Sequence, residues 1–104
     1  MIMINQDEEM LSSIRYAMAS SNLPMLIGSQ HEIEVARNIR IDMLIEANDI
    51  IAGLHKRANE GDAPCDHWAK AVSASRQMRG SASASWWVAR RDMSVDTLLK
   101  ELGN

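Results

Sequence analysis

Ser29-Gln30-His31-Glu32-Ile33-Glu34-Val35-Ala36-Arg37-Asn38-Ile39-Arg40 opens the stretch whose reading decides the fold. Ser29 followed three residues later by Glu32 is a capping box. The serine hydroxyl accepts from the Glu32 amide while the Glu32 carboxylate reaches back to the Ser29 amide. From that start, apolar residues recur at Ile33, Ala36, Met43, Leu44, Ala47, Ile50, Ile51 and Leu54. At 100° per residue they gather within roughly 120° of one face, which is the signature of an amphipathic helix. The pattern runs out near Asn59, and Gly61 and Pro64 are stop signals. A helix of this length spans about 45 Å. It is therefore expected either to project from a small domain or to bend at Gly53.

Shorter helical patterns flank this one. A first helix is expected from Asp7 to Ala19, with Asp7, Glu8 and Glu9 at the positive end of its dipole. Its buried stripe is predicted to be Met10, Ile14, Ala17 and Met18. Ser20, Ser21, Asn22 and Pro24 end it, and the apolar linker Leu23–Gly28 is expected to lie on the core. A third helix is predicted from Asp66 through Trp68, Ala71, Val72 and Met78 to Gly80. Ser81–Ser85 alternates serine with alanine and fits either a linker or a helix start. Trp86-Trp87-Val88 anchors a short helix ending near Arg90 and Arg91. Ser94 caps a last helix carrying Leu98, Leu99 and Leu102, closed by Gly103. The expectation is an all-α single domain over residues 1–104, with four or five helices around one long central helix.

Composition agrees with that reading. The 104 residues are 46% hydrophobic and 24% charged, within the range of a globular domain with one core. With three Trp, one Tyr, no Phe and eight Met, the core must come from aliphatic residues and methionine. The net charge of −3 makes direct, sequence-independent nucleic-acid binding unfavourable, because that binding rests on many Lys/Arg–phosphate contacts. The charge is uneven: residues 1–64 carry ten acids and five bases, residues 65–104 four acids and six bases. One cysteine, Cys65, cannot form an internal disulfide, so a reducing cytoplasm is the expected compartment. The apolar start Met1-Ile2-Met3-Ile4 lacks the basic region of a signal peptide, and no apolar run is long enough to span a membrane.

Little in the chain spells out a reaction. His31, His55, His67, Cys65 and Asp66 lack the paired spacing that closes a metal site. There is no nucleophile elbow and no phosphate-cradling glycine loop. The expectation is therefore a protein with no catalytic residue, no metal and no cofactor, that is, not an enzyme.

Surface chemistry is more informative. Glu34, Asp42, Glu46 and Asp49 fall opposite the apolar stripe of the long helix, with Asp42 and Glu46 one turn apart. They form either a solvated face or a ridge that meets a basic partner. Ile41 and Ile45 also stand away from the stripe, as a second packing surface within the domain or an exposed contact patch. Arg40 points into the stripe and needs a partner, for which Asp92 and Glu101 are the carboxylates in view. Trp86 and Trp87, adjacent on a helix, cannot both point inward. One is expected to be the core anchor; the other covers a helix junction or, with Arg90 and Arg91, forms an alternative interface.

Two of these segments together resemble a known pattern. Leu26–Arg40 resembles l-x-G-S-x-x-Q-I-x-W-A-x-x-I-R, and Ala84–Asp92 resembles A-x-W-W-I-D-N-R-D. The chain departs at Glu32, where the pattern has Gln, at Val35, where it has Trp, and at Ala89-Arg90, where it has Asp-Asn. The pair occurs in small helical proteins of phages, plasmids and other mobile elements, among them a type I anti-CRISPR inhibitor, and covers about a quarter of this chain. The resemblance implies a shared helical fold and a protein that binds a type I CRISPR surveillance complex, or its recruited nuclease-helicase, and blocks target DNA binding or cleavage. Two other readings stay open. One is a DNA-binding regulator of a mobile element using Arg76, Arg79, Arg90 and Arg91. The other is a scaffolding module, monomeric or dimeric through Ile41 and Ile45.

Overall fold

A computed structural model of the chain describes residues 10, 13–61 and 65–103. Within them the chain is helical and contains no strand. Residues 13–20 form α1, Gln30–Asn59 α2, Cys65–Arg79 α3, Ala84–Ala89 α4 and Val95–Leu102 α5. The fold is all-α, built around one long central helix, as the periodicity predicts. The expected start of α1 at Asp7, with its first-turn carboxylates, lies outside the described residues, as does the stop signal Pro64.

The capping box that begins α2 is present in full. The Glu32 amide donates to the Ser29 hydroxyl at 3.2 Å, and the Ser29 amide donates to the Glu32 carboxylate at 3.2 Å. The helix then runs unbroken through Gly53 to Asn59. The molecule measures 45 × 44 × 24 Å, and thirty residues at about 1.5 Å each account for its longest dimension. Its radius of gyration, 15.1 Å, exceeds the roughly 13 Å of a globular domain of this size, in keeping with a flat shape whose two long extents are nearly equal.

One cluster of buried side chains joins the elements. Ala36, Met43, Leu44 and Ala47 of α2 meet Ala74 and Met78 of α3, Ala84 and Trp87 of α4, and Val95, Leu98 and Leu99 of α5. Trp87 is fully buried, and its indole Nε1 donates to the Ser81 carbonyl at 3.1 Å. It is the core anchor. Trp86 is half-buried and meets Trp87 edge-on, with ring centroids 4.8 Å apart. A serine caps each short helix: Ser83 accepts from the Trp86 amide, and Ser94 from the Thr97 amide.

The apolar linker lies on the core as expected, with Leu26 buried and Leu23 packed against the cluster. It is held by a backbone bridge that the sequence does not announce. The Ile27 amide donates to the Ala82 carbonyl at 2.7 Å, and the Ala84 amide donates to the Ile27 carbonyl at 2.9 Å. Gly28 sits where this approach is tightest, since a Cβ there would stand 3.0 Å from the Ala84 Cβ.

Two expectations are corrected. The predicted buried stripe of α1 is not buried: Met10, Ile14, Ala17 and Met18 are all exposed, and Ala19 is the residue that enters the core. The cause is how α1 is held. The Arg79 guanidinium donates to the carbonyls of Ala19 and Ser21 at its C-terminal end, and that fastening turns the Ala19 side inward. Arg40 is half-buried, but neither Asp92 nor Glu101 receives it. Its Nη1 donates to the Pro24 carbonyl at 2.7 Å, while Nε is buried and has no partner among the described residues. The Pro24 carbonyl lies on the linker that crosses this part of α2, so a neutral oxygen takes the place expected for a carboxylate. Burial, and then the neighbouring Arg37 charge, lower the Arg40 pKa below the ordinary arginine value.

Candidate functional site

The long helix positions the four acidic residues, and its turn geometry decides which of them share a face. On α2, Asp42, Glu46 and Asp49 fall within about 60° of one another, with Glu34 about 60–120° to one side. All four are exposed. Asp49 has a neighbour that the sequence pattern does not reveal. Arg15 of α1 places its Nε 3.7 Å from Asp49 Oδ1, with both side chains about half exposed. An exposed pair of this kind contributes about 0–1 kcal/mol and leaves the local field largely negative. Asp42 and Glu46 form no ion pair among the described residues.

Ile41 and Ile45, set against the ridge in the sequence, are both half-buried. Ile45 packs on the core cluster, which is the within-domain role and not a free contact surface. The apolar spot beside the ridge is thus smaller than two exposed isoleucines would make it.

The alternative interface is largely folded back on itself. The Arg90 guanidinium lies 4.2 Å from the Trp86 ring centroid, and its Nη1 donates to the Trp86 carbonyl at 3.1 Å. Arg91 is exposed and sits 3.9 Å from the Asp92 carboxylate. Of the four arginines that a DNA-facing surface would use, Arg79 is committed to α1 and Arg90 to Trp86, leaving Arg76 and Arg91 exposed.

Among the described residues, no three His, Cys, Asp or Glu side chains converge as a metal site would need. His55 lies against Trp68 with ring centroids 4.9 Å apart and planes inclined at 46°, and Cys65 is exposed at the start of α3. A groove of about 330 Å³ lies between α2, α3 and α5, at the lower end of the range for small-ligand sites. Ile50, Leu54 and Leu99 line it beside Lys70 and Lys100, and Lys100 is bound to Asp96 at 3.0 Å. Among the described residues, no helix is long and apolar enough to cross a membrane.

Fold and surface together define a small all-α domain that displays an acidic face on a single rigid helix. Comparison with family models, with characterised proteins and with solved structures finds no match for the chain.

Proposed function

We propose that this protein acts by binding alone, as an anti-CRISPR-like inhibitor whose acidic α2 face docks on a basic surface of a type I CRISPR surveillance complex. Such a complex holds DNA through Lys/Arg-lined channels, because the backbone it grips is a polyanion. A protein that occupies such a channel excludes the DNA or blocks a movement that cleavage requires. The observation that carries the reading is the placement of Glu34, Asp42, Glu46 and Asp49, all exposed on one uninterrupted thirty-residue helix. Charges held in register on a rigid element need little ordering when they bind. The resemblance of Leu26–Arg40 and Ala84–Asp92 to mobile-element proteins supplies the target class.

The reading also has an energetic shape. Each rim charge contributes well under ~1 kcal/mol, so the face acts mainly on association rate and salt dependence. The committed positions of Arg79 and Arg90 favour this reading over direct DNA recognition. The test is joint reversal of Asp42→Lys, Glu46→Lys and Asp49→Lys. The triple variant should keep its helical circular-dichroism spectrum and lose both binding to purified type I surveillance complexes and protection of a phage from them. A triple variant that binds and protects as well as the parent would refute the acidic-face mechanism.

A further inference from the structure

We infer that the groove between α2, α3 and α5 binds a small aliphatic monocarboxylate, with a chain of about eight to ten carbons. Its floor is apolar: Ile50 and Leu54 come from α2, Ala71 from α3 and Leu99 from α5. Its rim is polar and mostly cationic. Lys70 stands on the α3 wall and Lys100 on the α5 wall. Packing, not local sequence, brings these two lysines to one opening. An apolar floor with a few convergent polar groups, set between helices, is the usual make-up of a small-ligand site.

The walls are held in place by contacts outside the groove. The Gln77 side-chain amide of α3 donates to the Leu102 carbonyl at the end of α5 at 2.9 Å. Beside it, a Cβ at Gly103 would stand 3.0 Å from the Lys70 carbonyl oxygen and 3.3 Å from the Lys70 Cβ. The end of α5 therefore sits directly on α3 at Lys70, an approach that only a residue without a side chain allows. A groove formed in advance needs little ordering when a ligand enters.

Charge selects the head group of that ligand. Among the described residues that line the groove, two lysines face one aspartate, a net of +1. The Lys100 ammonium donates to Asp96 at 3.0 Å, and a lysine has three donors, so two remain for a ligand. His67, one turn before Lys70 on α3, adds a ring nitrogen to the same rim. A carboxylate balances this rim with one negative charge and two acceptor oxygens. A phosphate monoester brings about −1.5 to −2 and leaves an excess.

Volume selects the tail. An apolar cavity of about 150 Å³ holds a benzene ring, so at that ratio 330 Å³ takes about thirteen non-hydrogen atoms. Octanoate has about ten and decanoate about twelve. Each methylene taken out of water should tighten binding about two- to fourfold, until the floor is covered. At the efficiency of ordinary ligands, octanoate should bind with a dissociation constant of about 1 mM. The site uses none of Glu34, Asp42, Glu46 and Asp49, so it stands or falls apart from the acidic face.

The test is a titration of the ¹⁵N-labelled full chain with sodium octanoate at constant ionic strength, followed by amide chemical shifts. Saturating shifts should concentrate on Ile50, Leu54, Lys70, Leu99 and Lys100. Affinity should rise from hexanoate to octanoate to decanoate, and 1-octanol should bind at least about fivefold more weakly than octanoate. Lys70→Gln/Lys100→Gln, at two exposed sites, should keep the parent's circular dichroism and lose at least about fivefold in octanoate affinity. Raising the salt from about 50 mM to about 500 mM should weaken octanoate and leave 1-octanol unchanged. Shifts that fail to saturate, or that gather away from the groove, overturn the proposal. So does equal affinity for octanoate and 1-octanol, an affinity indifferent to chain length, or a double variant that binds octanoate as the parent does.

Discussion

Truncating Trp87 to Ala removes the largest fully buried side chain among the described residues. The cost follows from three contacts. Loss of a buried indole costs about 3–5 kcal/mol, counting transfer and the cavity left behind. The Ser81 carbonyl loses the 3.1 Å hydrogen bond from Nε1, and an orphaned buried acceptor costs about 1–3 kcal/mol more if water cannot reach it. The edge-on contact with Trp86 is lost as well. Against a total stability of about 5–15 kcal/mol for a domain of this size, the variant is close to the folding threshold. Its melting temperature should fall by about 15–25 °C, measured by far-ultraviolet circular dichroism because tryptophan fluorescence itself changes. Trp86→Ala is the internal control. It loses the edge contact and the Arg90 stacking, together worth about 1–2 kcal/mol, from a half-buried site. Equal losses for the two variants, or a larger one for Trp86→Ala, would refute the assignment of Trp87 as the anchor.

Two further substitutions test the backbone. Gly28→Ala should lower the urea midpoint by the equivalent of about 1–3 kcal/mol, because its Cβ would press on Ala84 at 3.0 Å across the linker bridge. Gly53→Ala should raise the midpoint by about 0.5–1 kcal/mol, since the site is mid-helix and a Cβ there meets nothing within 4 Å.

What could be read from the sequence was local. The Ser29–Glu32 capping box, the serine cap at Ser94 and the apolar period of α2 each depend on residues within a few turns. Each is realised in the structure. The acidic face was legible for the same reason, because one helix fixes the relative directions of Asp42, Glu46 and Asp49. What failed to show depended on residues far apart in the chain. Nothing near Met10, Ile14 or Met18 signals that Arg79 fastens α1 with that stripe outward. The Arg15–Asp49 pair and the Pro24 carbonyl that receives Arg40 are equally invisible to a local pattern. Periodicity reports that a helix has an apolar side, but not which way that side faces. The same argument explains Ile45: on an isolated helix it looks exposed, and the neighbouring elements cover it.

The contact between Ile27 and the start of α4 also bears on how the chain reaches this structure. More than half of the sequence lies between the two bonded segments, so closing them carries a large loop entropy that only prior assembly of α2 and α3 can reduce. A six-residue helix such as α4 is too short to persist alone. The linker has no helical or sheet ladder of its own, and finds its backbone partners at Ala82 and Ala84. Each segment therefore becomes ordered only when the other arrives, and the pair should form late, as one cooperative unit. In native-state hydrogen exchange, the amides of Ile27 and Ala84 should open together, even though more than half of the chain separates them in sequence.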